Sequence, residues 1–147
     1  MQPLNLPPIQ AKLRKEEGKI RIFDPIRKKY VVLTPEEWVR QHMIAYLSMH
    51  LGYPTSLFRV EAGLKVNRLQ KRTDIVICSR DGSPWMLVEC KAFDLPLRAD
   101  AFRQAAVYNR SVGARYIAVS NGMVHFCFLA GSSSEPTALQ EFPSFGE

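Results

Sequence analysis

The stretch RTDIVICSRDGSPWMLVECKA, residues 72–92, decides how this chain is read. Two apolar runs flank a short polar turn. Each run carries one acidic residue, Asp74 and Glu89, and Lys91 stands two places beyond the second. The runs are short, β-branched and bounded by turn residues, so they read as two strands of a hairpin. Asp81-Gly82 is a type I′ turn signal. With those two residues as the loop, Arg80 faces Ser83 and every facing pair sums to 163. Ile75 then meets Val88, and Ile77 meets Met86, on one face. Val76 meets Leu87 on the other, and Asp74 meets Glu89 beside them. A bulge, or Pro84 at the strand entrance, would shift this register.

In that register the two carboxylates have Cβ atoms about 4.5–5.5 Å apart, and Lys91 shares their face. Both faces are apolar away from the charges, as in a sheet covered on both sides. Like charges directly opposite one another destabilise a strand pair, and more so when water is excluded. Something must offset them. A divalent cation would, and an oxygen-only ligand set suits Mg²⁺ or Mn²⁺ better than zinc. Lys91 alone would also do so, as a structural salt bridge.

Outward from the hairpin, KIRIF (19–23) and YVVL (30–33) are β-rich and predict a second hairpin around DPIRKK. TPEEWVRQHMIAYLSMHLGYP (34–54) predicts a helix, with Thr34 as N-cap, Pro35 at the first helical position, and Gly52 and Pro54 as stop signals. SLFRVEAGLKV (56–66) predicts a strand bulged at Gly63, and LRADAFRQAAVYNRSV (97–112) a second helix. RYIAVSNGMVHFCFL (115–129) predicts a hairpin turned at Asn121-Gly122. The order is hairpin, helix, three strands, helix, two strands. It predicts an α/β fold, a mixed central sheet with helices on its faces. One domain covers 1–130, with an arm and hairpin over 1–33 and a core over 34–130. Residues 131–147, GSSSEPTALQEFPSFGE, read as a flexible tail.

The first helix adds two acidic residues. Thr34-Pro35-Glu36-Glu37 is a capping box with Glu37 at N3. Glu36 has no such explanation. At about 100° per residue it falls at the centre of the stripe formed by Val39, Met43 and Leu47. It is either a core-facing carboxylate that wants a partner or a solvated residue where the stripe frays. On the second helix Gln104 and Tyr108 are one turn apart and share a face.

Composition bounds the rest. At 147 residues, 46% hydrophobic and 23% charged, the chain has the makings of an ordinary globular domain. No apolar run reaches membrane-span length, and the first residues lack a signal-peptide core, so a cytoplasmic location is expected. Cys78, Cys90 and Cys127 are odd in number, without CxxC spacing, and read as free thiols of a reducing compartment. His42, His50 and His125 are scattered and make no metal or triad pattern. Net charge is +6, and it is uneven. Residues 1–75 hold 14 Lys and Arg against 7 Asp and Glu, whereas residues 76–147 hold 6 against 7. A basic half suits a polyanion such as DNA. Lys12, Arg14, Lys15, Arg27, Lys28 and Lys29 are the candidate phosphate contacts.

Asp74, fourteen intervening residues, then Glu89-Cys90-Lys91, with an upstream helical glutamate and a downstream QxxxY, resembles the PD-(D/E)XK nuclease superfamily. TPEEWVRQ, LGYP, RTDIVI and LVECKA most resemble the N-terminal nuclease domain of type I restriction enzyme R subunits. The resemblance spans roughly residues 30–125. It implies a restriction-endonuclease-like α-β-β-β-α-β core and Mg²⁺-dependent hydrolysis of DNA phosphodiesters. Asp74 and Glu89 would hold the metal, Lys91 would position the attacking water, Glu36 or Glu37 would complete the acidic cluster, and Gln104 and Tyr108 would contact the site. Thr73 stands where the motif has proline, and no GxxxxGK[ST] motor motif is present. The implied partners are DNA, a targeting or motor protein, and a second copy of the chain. The alternative is a non-catalytic DNA-binding or partner-docking module on the same fold.

Overall fold

The computed structural model describes residues 1–60, 75–131 and 136–146. It is mixed α/β, as expected, with two sheets and two α-helices. The first sheet is a meander of β1 (Leu13–Glu16), β2 (Lys19–Asp24) and β3 (Lys29–Val32). The predicted β2–β3 hairpin is present, and β1 is an addition. Its signal was Glu17-Gly18, both at positive φ, which close a two-residue turn between Glu16 and Lys19.

Helix α1 (Pro35–Ala45) follows and runs into a π-helical turn over Tyr46–His50. The Thr34 hydroxyl caps it, accepting from the Glu37 amide at 3.0 Å. Gly52, at φ +75°, turns the chain out of the helix. The second sheet has the order β4-β5-β6-β7-β8-β9: β4 (Phe58–Val60), β5 (Ile75–Cys78), β6 (Pro84–Cys90), β7 (Tyr116–Ser120), β8 (His125–Leu129) and β9 (Thr137–Leu139). Helix α2 (Ala99–Val112) links the parallel pair β6 and β7. Gly63 and Asp74 lie outside the described residues.

The central hairpin keeps the predicted core register by a different route. Ile75 faces Val88, Val76 faces Leu87 and Ile77 faces Met86. The turn, however, is not a two-residue one. Ser79 and Ser83 close it, Gly82 alone takes positive φ, and Asp81 Oδ1 accepts from the Ser83 amide and hydroxyl. A register shift between Ile77 and Cys78 then absorbs the extra loop residue. The β7–β8 turn is also displaced by one. Asn121 pairs with Val124, leaving Gly122-Met123 at the tip. The Asn121 side chain caps the turn by accepting from the Met123 and Val124 amides.

Alternation along the strands sorts the core into two layers. Ile75, Ile77, Met86, Val88, Cys90 and Ala118 face α1, through Val39, Met43, Ile44 and Leu47. Val76, Leu87, Ile117 and Val119 face α2, through Ala105 and Tyr108. Each helix therefore covers one face, which is why these strands read as continuous apolar runs.

The C-terminal segment departs from the flexible tail predicted for it. Thr137–Leu139 adds β9 to the sheet, and Phe142 and Phe145 pack on the α1-side core. The Tyr53 hydroxyl donates to the Pro143 carbonyl, and Tyr53, Trp85 and Phe145 form an aromatic group. Sparse aromatics in a polar stretch carry no periodicity, so the segment looked featureless. The thiols are free, with Cys90 and Cys127 buried, and burial pushes Cys127 up to about 12.

Candidate active site

Glu89 occupies the penultimate position of β6, next to Cys90, whose side chain enters the α1-side core. Alternation turns Glu89 to the α2 face. There it is only 8% exposed. A carboxylate so enclosed needs a counter-charge. Lys91 supplies one: its Nζ lies 3.1 Å from Glu89 Oε1. The backbone holds the lysine in place, since its amide donates to the Ser120 carbonyl of β7 at 2.8 Å. The pair sits at the C-terminal end of a parallel strand, partly open to solvent, with the Lys91 side chain 29% exposed. Asp74 lies outside the described residues, directly after which the Ile75–Val88 pair holds the predicted register.

Tyr108 is buried over Val76 and Leu87, one step along each strand from the predicted carboxylate row. Gln104, one turn earlier, is exposed. Of the two readings open for Glu36, the structure has the solvated one, and Glu37 is the enclosed carboxylate. Glu36 is exposed and Glu37 is buried. The buried arc of α1 includes Glu37, Arg40, Gln41, His42 and Ile44 as well as Val39 and Met43, so it is wider than the apolar stripe on both sides. On the Glu37 side, the loop after β2 supplies Arg27. Glu37 Oε1 accepts from Arg27 at 2.8 Å and from Arg40, and its Oε2 accepts from Gln41 at 3.0 Å. Arg27 also pairs with fully buried Asp24. Burial works against the Arg27 charge, but hydrogen bonds and charge from Glu37 and Asp24 outweigh it and raise its pKa. Glu37 is thus engaged in an ion cluster joining the first sheet to α1. That cluster lies on the opposite face of the main sheet from Glu89.

The candidate phosphate contacts do not form one surface. Lys12, Arg14, Lys15, Lys28 and Lys29 are exposed, but Arg27 is committed to the Asp24–Glu37 cluster. Strand alternation puts Lys12 and Arg14 on one face of the first sheet and Lys15 and Lys29 on the other. Arg14 is further occupied by Glu16, at 2.8 Å, and by the Tyr30 ring. The three histidines make no metal site. His42 is buried beside Trp38, His50 stacks on Tyr46, and His125 bonds to Ser120 and to the Asn5 carbonyl. Among the described residues there is no cluster of three or more potential metal ligands, and no helix long and apolar enough to cross a membrane.

Sequence reading passed over one feature of this face. Phe126 of β8 faces Val119, and Val119 faces Glu89, so the three form one row across the sheet. Its signal was the exposed alternate position in HFCFL.

The sequence matches, over residues 35–143, the family model described as type I restriction enzyme R protein N terminus. The fold resembles a solved fragment of a candidate HsdR subunit of a type I restriction enzyme from Vibrio vulnificus YJ016. The TM-score is 0.57, at 21% identity over 76% of this chain. This chain spans 24% of that one. No curated protein matches the sequence.

Proposed function

The chain belongs to the type I restriction enzyme R protein N-terminal family, and on that premise we propose that it is a Mg²⁺-dependent nuclease that hydrolyses DNA phosphodiesters. The observation that carries the proposal is the buried Glu89 carboxylate with Lys91 Nζ at 3.1 Å, at the open end of a central parallel strand. Asp74, the residue before Ile75 in the sequence, would supply a second carboxylate beside Glu89. Two hard oxygen donors of this kind fit Mg²⁺ or Mn²⁺. The fit is helped by Glu89 being already desolvated, because little water has to be displaced from it. A bound divalent cation would screen the phosphate and lower the pKa of its water.

The chain's own groups account for the other needs. Glu89 and Asp74 fix where the phosphate docks. Lys91 balances Glu89, and its ammonium, held at that end of β6, would steady negative charge developing on the phosphoryl oxygens. Tyr108 fills the floor beside the pair and holds α2 at a fixed height over the strands. The Glu37 cluster contributes through stability rather than chemistry. DNA, a cytoplasmic setting and a motor or targeting partner that delivers the substrate belong to the same proposal.

The test is DNA cleavage with Mg²⁺ by the purified chain, using supercoiled and single-stranded substrates. Glu89→Gln and Lys91→Ala should each lower the rate at least about a hundredfold, as loss of one transition-state-stabilising group does. Each variant should retain binding to DNA. Cleavage that Glu89→Gln leaves intact would remove Glu89 from the chemistry. DNA binding without cleavage in the wild type would assign the chain to a docking role on the same fold.

A further inference from the structure

We propose that Phe126 is a stacking platform for a nucleobase adjoining the phosphate at Glu89, so that the site takes single-stranded or locally unpaired nucleic acid. The inference rests on the nuclease reading and deepens it by naming the substrate class.

Phe126 is 48% exposed, although it lies on a sheet face that α2 otherwise covers. Its two neighbours along the row, Val119 and Glu89, are buried. The position of α2 explains the difference. Its contacts centre on the next row, where Tyr108 lies over Val76 and Leu87, Ala105 packs with Ile117, and Phe102 lies against Phe128. In the row of Glu89, Val119 and Phe126, Val119 still packs with Ala105, and at the β8 end the cover stops. Two strand spacings separate Glu89 from Phe126, about 10 Å. The ring has an aromatic neighbour on the same face. Phe128 lies 6.5 Å from it, and Phe102 packs on Phe128 at 4.0 Å. Val124, two residues earlier in the chain, is on the same face and also exposed.

An exposed aromatic fixed at one end of a row, with an enclosed carboxylate and a lysine at the other, matches a nucleotide's two parts. The phosphate goes to the charged end and the base to the ring. In a duplex the base faces are already stacked on their neighbours. Only an unstacked base can use Phe126, which selects single-stranded or frayed substrate.

The experiment measures fluorescence anisotropy of a labelled twelve-residue oligothymidylate, and of the same backbone with abasic central positions, in Ca²⁺. Wild type should bind the oligothymidylate at least about fivefold more tightly than the abasic strand, the lower bound for one stacked base. Phe126→Ala should abolish that difference without weakening abasic binding, and Phe126→Trp should restore it. The Phe126→Trp emission should also fall on binding, against constant Trp38 and Trp85. Equal preference in wild type and Phe126→Ala overturns the stacking role while leaving the nuclease reading intact. Failure of the wild type both to bind and to cleave any strand overturns both. Loss of self-association in Phe126→Ala, with oligonucleotide binding unchanged, overturns the proposal in favour of a contact between copies.

Discussion

His42 shows how much one residue's surroundings decide. It reads as an ordinary helical histidine, yet it is buried, its Nδ1 lies 2.8 Å from the Trp38 carbonyl, and its ring meets the Trp38 indole edge-on. Burial lowers its pKa from the ordinary 6.5, against a smaller opposite effect of the backbone hydrogen bond. The unfolded chain then binds more protons than the folded one just below that value, so stability rises with pH there. The contribution is complete above about pH 6.5 and is lost as pH falls through the folded value. His42→Gln should therefore flatten the decline in urea midpoint between about pH 7.5 and 5.5, with the other histidines serving as a common background. An unchanged slope would mean that His42 titrates alike in both states. The same scale shows what was legible in the sequence. Glu89 and Lys91 were readable because the anomaly, charge inside an apolar run, is local. Which of Glu36 and Glu37 is enclosed was not, because it depends on Arg27 arriving from another element.

Among the elements, the hairpins give the clearest lesson. The core register of β5 and β6 was readable because it is set by which side chains are apolar. The loop was not, since Asp81-Gly82 serves a three-residue loop closed by a bulge as readily as a two-residue turn. At the other hairpin Gly122 stands at φ +84°, and a Cβ there would come within 2.9 Å of Leu4 Cδ1 and 3.1 Å of Val39 Cγ2. The arm reaches this turn through the Asn5 amide, which donates to the Gly122 carbonyl at 2.9 Å. Gly122→Ala should cost about 1–3 kcal/mol in denaturant unfolding, from both strain and crowding. In a Leu4→Ala background the crowding part should shrink, giving a coupling of at least about 0.5 kcal/mol. Additive losses would show that the arm does not press on this turn.

For the whole molecule, two helices cover opposite faces of the main sheet, and the partly exposed Lys91, just past β6, marks where the Glu89 end of that strand meets solvent. The order of α1, β4, β5, β6, α2 and β7 was legible because each element is short and bounded by glycine or proline. The first sheet's β1, the added β9 and the packing of Phe142 and Phe145 were not, because they depend on contacts far apart in sequence. Charge was a coarse guide. Among the candidate phosphate contacts, Lys12 and Arg14 lie on one face of the first sheet, Lys15 and Lys29 on the other, and Arg27 in an internal ion cluster, whereas the proposed chemistry lies where the enclosed Glu89 meets Lys91. The measurement that tests that site most directly is calorimetric titration of Mn²⁺ into the purified chain, beside Asp74→Ala and Glu89→Ala variants of confirmed fold. The nuclease reading predicts binding to the wild type and its loss in both variants. Equal heats in all three proteins, or none in the wild type, would contradict a cation held between Asp74 and Glu89 and leave Lys91 as a structural partner alone.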